Sequence, residues 1–134
     1  MSQFVHHTVS SVLAIHEEVL TAHGGLAGVK DVRLLESAIA APQASFGGQA
    51  LVQDPLEIAA AYLFHLSQND PFNEGNKRTA LATSLVFLTQ NKLLDQTVSL
   101  DVDAWEALVL DIAASRTGKA DLTLRLRALV PPPS

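Results

Sequence analysis

The residues best suited to chemistry lie in one stretch, Asn69-Asp70-Pro71-Phe72-Asn73-Glu74-Gly75-Asn76-Lys77-Arg78-Thr79. A glycine-containing turn here feeds a helix that begins near Gly75 or Asn76. The first N–H groups of a helix lack internal partners and carry the positive end of its dipole, so they form a ready anion site. Asn76 can donate an amide to a phosphate oxygen, Lys77 adds charge, and Arg78 can grip two oxygens at once. Two cations in a first turn work against the helix dipole, and a bound anion is the natural compensation. Glu74, just ahead of that turn, suits a Mg²⁺ ion bridging phosphates. Asp70 could accept a proton from an attacking hydroxyl. The same residues also admit a plain structural reading, with Asp70 or Asn69 capping local backbone and Lys77 and Arg78 in surface pairs with Glu74.

These groups need a frame, and the periodicity supplies one. Val9, Val12, Leu13, Val19 and Leu20 fall at helical spacing with Glu17 and Glu18 opposite. Thr8 or Ser10 can cap that helix, and His23-Gly24-Gly25 ends it. Asp31 caps a short helix carrying Leu34, Leu35, Ala38 and Ile39, stopped by Pro42. Gln43 to Gln53 shows no period and reads as a loop or flap. Asp54-Pro55 is a strong helix start, and Leu56, Ala59, Ala60, Leu63 and Phe64 form the buried face that follows. Thr79 to Leu88 is apolar or small on nearly every side, the signature of a central buried helix. Beyond Asp101 or Asp103, Trp105, Leu108, Val109 and Ile112 mark another helix, ended by Gly118. A last helix is capped by Asp121, although Leu122, Leu124 and Leu126 alternate as in a strand. The chain therefore reads as all-α: a single domain over 1–130 and a proline-rich tail over 131–134.

Composition narrows the function. With 134 residues, 48% hydrophobic and 17% charged, the chain can bury a real core and is not a disordered segment. A net charge of −5 and a pI near 5.4 argue against direct nucleic-acid binding. Without cysteine there is no disulfide framework or thiolate metal site. No apolar run is long enough to span a membrane and Met1–His7 lacks signal-peptide character, so a cytoplasmic location without membrane association is expected. The five histidines form no metal-binding pattern. His6 and His7 are adjacent, His16 reads as a core or boundary residue, and His65 could serve as a substitute base only if the helix turned it toward Asp70. Trp105 reads as core, His23 as part of a helix stop. No Ser-His-Asp, Cys-His or paired-carboxylate arrangement is present.

The motif segment resembles the signature of the Fic/Doc family, which in its Doc form runs His-x-Phe-x-Asp/Asn/Glu-Gly/Ala-Asn-Lys-Arg. Phe72, Glu74, Gly75, Asn76, Lys77 and Arg78 match in register. Leu20 to Leu26, Leu34 to Ala38, Pro42-Gln43, Ala60 to Leu63 and Arg78 to Leu81 extend the likeness over roughly Ile15 to Asn91. The resemblance implies a small helical bundle with the motif at a helix start. Fic members mostly transfer AMP and carry Gly-Asn-Gly-Arg with a second arginine three residues on. Lys77 and Leu81 stand at those two positions here and favour the Doc branch. It implies a toxin that transfers phosphate from ATP, with Mg²⁺, to a threonine of elongation factor Tu, and that a Phd-type antitoxin neutralises. On that resemblance, Asp70, Lys77 and Arg78 are catalytic, Gly75 and Asn76 join Lys77 and Arg78 on the nucleotide, Glu74 holds the metal, and the loop from Gln43 is a target-aligning flap. The family's catalytic histidine falls on Asp70. An inactivated form, a natural pseudoenzyme that still binds, and a working aspartate base are all open. Aspartate has an ordinary pKa of about 3.9, so impaired phosphotransfer is expected.

Overall fold

The computed structural model describes residues 4–94, 102–113 and 118–130. Its elements run α1 (Val9–His23), α2 (Val32–Ala40), a 3₁₀ turn (Ala41–Gln43), β1 (Ser45–Phe46), β2 (Gln49–Ala50), α3 (Pro55–Asn69), α4 (Asn76–Gln90), α5 (Val102–Ala113) and α6 (Lys119–Leu129). The chain is all-α apart from a two-stranded ribbon.

The helix ends follow from local chemistry. Thr8 and Ser11 cap α1 reciprocally, each side chain bonded to the other's backbone N–H. Asp31 accepts from the N–H groups of Arg33 and Leu34 at the start of α2. Asp54 accepts from Leu56 N–H, with Pro55 at the first position of α3 where no N–H is needed. Arg127 of α6 also donates to Asp54, tying the last helix to the start of α3.

α4 packs on α1, α3 and α5, and α3 in turn packs on α2, α4, α5 and α6. Ala80, Thr83, Ser84, Phe87 and Leu88 are all buried, and Ser84 Oγ donates to Ala59 O at 3.0 Å. Such an approach needs small residues on both helices, and the run Ala59-Ala60-Ala61 supplies them on α3. Tyr62, Leu63, Leu66, Phe72, Phe87 and Trp105 fill the core. Before α1, His6 Nδ1 lies 2.8 Å from Tyr62 Oη, and buried His7 contacts Thr83 O through Nε2 at 2.9 Å. Burial holds both imidazoles below the usual histidine range and pushes the Tyr62 phenol up to about 12.

Two expectations change, and the helical reading of the last segment holds over its strand alternative. The segment Gln43 to Gln53 is not wholly a loop: Ser45 pairs with Ala50 and Phe46 with Gln49. Gly47 and Gly48 have φ of 60° and 80°, the two positive angles a tight hairpin turn requires. Two-residue strands are too short to show a period. In α6, Leu122 and Leu126 are buried one helical turn apart while Leu124 is 65% exposed, so the alternation is incidental. Gly118, not Asp121, is the N-cap of α6, and Asp121 lies in its first turn. α5 is described over Val102–Ala113, and the stretch between it and Gly118, where the sequence reading ends that helix, lies outside the described residues. Asp101 as a helix start and the 131–134 tail lie outside the described residues.

Candidate active site

α3 ends at Asp70, which adopts the left-handed conformation (φ 52°, ψ 52°), an unusual setting for a residue with a side chain. The chain then turns through Pro71–Gly75 and enters α4. Two walls hold this turn. On one side, the segment after α1 lies along it: Lys30 N–H and Asp31 N–H donate to Pro71 O at 2.7 and 3.1 Å, and Asn73 N–H donates to Gly28 O at 3.1 Å. Val29 and Phe72 form a β-bridge, and Asn73 Nδ2 reaches Ala27 O at 3.1 Å. Gly28 has φ +112°, and a Cβ there would meet Asn73 Nδ2 at 2.8 Å, so only glycine allows this approach.

On the other side stands α1. His16, buried, donates from Nε2 to Glu74 O at 2.8 Å and stacks on Phe72 with centroids 3.8 Å apart and planes 8° from parallel. Asn76 closes the turn internally, accepting from Phe72 N–H at 2.8 Å and donating to Phe72 O at 2.9 Å. The loop is thus set before any ligand arrives, as a binding site must be.

Beside the turn opens a cavity of about 780 Å³. Asp70, Gly75, Asn76, Lys77, Arg78 and His23 line one part. Val19, Leu81, Leu85, Trp105, Val109 and exposed Leu110 line the other. The start of α4 has no side-chain cap, because its N-cap residue is Gly75 at φ 81°. Among the described residues, Lys77 and Arg78 form no ion pair or hydrogen bond. Uncapped amides, two uncommitted cations and an apolar wall are chemically suited to a ligand with an anionic end and a flat or apolar body.

The structure brings the proposed phosphate residues Gly75, Asn76, Lys77 and Arg78 and the base-position residue Asp70 to one cavity. It also alters three of the assigned tasks. The Asn76 amide is committed to Phe72, so its first task is to hold the turn. The Glu74 carboxylate does not line the cavity and accepts Leu26 N–H through Oε2. Asp70 is engaged by Lys30 Nζ at 2.9 Å, with both side chains at least half exposed. The anticipated surface pairs of Lys77 and Arg78 with Glu74 do not form. His65 is turned to α6, with Nε2 3.4 Å from Lys119 Nζ, so it is no substitute base. Trp105 is both core and cavity wall. Among the described residues no group of three or more His, Cys, Asp or Glu could hold a metal ion alone, and no helix is long and apolar enough to cross a membrane.

Sequence reasoning missed Lys30, His16 and His23 as parts of the site. Lys30 is 40 residues from Asp70, and nothing local signals the pair. His16 and His23 could have been found: with Val19 they occupy positions i, i+3 and i+7 on one face of α1, and that face meets the motif.

The Fic/DOC family model matches residues 6–88. The protein kinase doc of Escherichia phage P1 is 34% identical over 86 residues, 64% of this chain and 68% of that protein. The toxin Doc of Mycolicibacterium smegmatis is 39% identical over 101 residues, 72% of this chain and 77% of that protein.

Proposed function

This chain belongs to the Doc branch of the Fic/Doc family, and from that premise we propose that it is a Doc-like toxin that transfers phosphate from ATP to a threonine hydroxyl of elongation factor Tu. The observation that carries the reading is the cavity where the uncapped start of α4, Lys77 and Arg78 meet Asp70. Lys77 and the α4 amides would hold the phosphate chain, and Arg78 would grip oxygens on which charge develops during transfer. The apolar wall would take the nucleoside. Leu81 in that wall adds no second cation, which favours phosphate over AMP transfer.

The residues fit a divalent cation in one way only. Glu74 Oε2 is held by Leu26 N–H, and Oε1 has no partner among the described residues. Mg²⁺ commonly takes one or two carboxylates and completes its shell with substrate phosphates and water. Glu74, which does not line the cavity while it accepts Leu26 N–H, would anchor an ion arriving with the nucleotide only by turning its carboxylate toward it, and that ion, when bound, would neutralise phosphate charge. Asp70 is a handicapped base, since Lys30 competes with a target hydroxyl for its carboxylate. The family name of the relatives supports an antitoxin partner, of Phd type in this reading, and a cytoplasmic site of action.

The test is ATP-dependent labelling of elongation factor Tu by the native chain and its Asp70→His form. The histidine form should be faster by about 10²–10⁴-fold, the usual worth of a positioned general base. Equal rates would remove the impaired-base reading, and an AMP adduct in the mass spectrum would remove phosphotransfer. The engagement of Asp70 by Lys30 also favours a second reading, a module that binds without turnover. Nucleotide binding by the native chain with transfer only after Asp70→His would establish it.

A further inference from the structure

We propose that His23 is the proton acceptor of this chain, doing from α1 what the family motif normally does from position 70. The assignment rests on the phosphotransfer reading and concerns the same cavity.

His23 is the last residue of α1 and is exposed. It lines the cavity together with Asp70, Gly75, Lys77 and Arg78. Among the described residues its imidazole has no hydrogen bond, ion pair or ring contact, whereas Asp70 is tied to Lys30 at 2.9 Å. Of the two candidate bases in this cavity, only His23 is uncommitted. A neutral imidazole carries one basic ring nitrogen, and histidine is the side chain most often used for proton transfer near neutrality.

The backbone that carries it is held by contacts already built around the motif. Seven residues back on the same face, His16 bonds Glu74 O. Gly24 N–H donates to Leu20 O at 2.7 Å and closes α1 directly after His23. Gly25 then passes so close that a Cβ would lie 3.2 Å from Glu74 Oε2 and 3.0 Å from Leu20 Cδ2. The end of α1 is therefore docked on the motif turn, which sets the backbone position of His23 beside the cavity.

In the step assigned to it, the target hydroxyl oxygen bonds to the γ-phosphorus as the bond from that phosphorus to the bridging oxygen breaks. The electron pair of the broken bond leaves with ADP, and the hydroxyl proton passes to the free nitrogen of His23. The imidazolium afterwards returns its proton to water. His23 thus gives a chain with aspartate at position 70 a route to turnover slower than that of a motif histidine but above none.

The test is a cycle of four proteins: native, His23→Gln, Asp70→His and the double variant, each assayed for phosphate transfer to elongation factor Tu. Thermal unfolding of each verifies the fold, and His23→Asn serves as a second substitution that must behave like His23→Gln. His23→Gln should reduce the native rate by about 100-fold, but cost no more than about threefold once position 70 carries histidine. Native transfer that survives both His23 substitutions overturns the assignment. Transfer by the Asp70→His form with none by the native chain overturns it too while leaving the phosphotransfer reading intact. No transfer by any of the four sinks that reading and the role of His23 together.

Discussion

His16 is the side chain on which the geometry of the motif most depends, and truncating it has a calculable cost. It supplies a donor to the Glu74 carbonyl at 2.8 Å and a ring stacked on Phe72 at 3.8 Å. A partly buried carbonyl stripped of its donor costs about 1–2 kcal/mol. Loss of the ring contact adds about 0.5–1.5 kcal/mol. His16→Ala should therefore cost about 1.5–3.5 kcal/mol, a large part of the 5–15 kcal/mol typical of a whole domain. At roughly 3–5 °C per kcal/mol for a chain of this size, Tm should fall by about 5–17 °C. Two further variants separate the contributions. His16→Gln keeps a donor without the stack, and His16→Phe keeps the stack without the donor, so each should lose about half as much. Urea titrations followed by circular dichroism give the free energies, with unchanged m-values as the check on two-state behaviour. A loss below about 1 kcal/mol for His16→Ala, or native stability in His16→Phe, would refute the claim that this histidine holds the turn. Because the turn positions Lys77 and Arg78, nucleotide affinity of the folded His16→Ala protein should fall as well.

Lys77→Gln should separate stability from binding: removing a cation from the first turn of α4 should raise stability by a few tenths to about 1 kcal/mol while weakening nucleotide binding in calorimetry. An equal loss of both would show that Lys77 serves the fold. Acid should destabilise the amino-terminal anchor. Burial lowers the pKa of His6 and His7 in the folded chain, so the unfolded chain binds more protons below the ordinary value of about 6.5. Their contribution is full above that pH and is lost as pH falls through it toward the folded values. The slope should approach about 1.4 kcal/mol per pH unit for each proton taken up. His7→Gln should flatten the profile measured by denaturation between pH 7 and 5 (roughly the histidine range), and an unchanged slope would exclude His7 as its source.

The sequence alone determined the elements whose signals are local. Asp31 and Asp54-Pro55 start helices because a side-chain oxygen or a proline satisfies the first turn from within a few residues, and Gly24 stops one for the same short-range reason. The motif at positions 72–78 was legible because a helix start and its flanking charges are contiguous, and that was enough to place the chain in its family. Tertiary structure decided what each motif residue is free to do. Asn76 is taken up by Phe72, Glu74 by Leu26, and Asp70 by Lys30 from 40 residues away. The hairpin and the cap of α6 were missed because two-residue strands carry no period and any acidic residue near a helix start resembles a cap. His23 read as punctuation because spacing gives the face of a helix but not what that face meets. Only the docking of α1 against the turn puts its imidazole in the cavity with Lys77 and Arg78. A side chain's partners depend on distances across the fold, and those exist only once the chain has closed on itself.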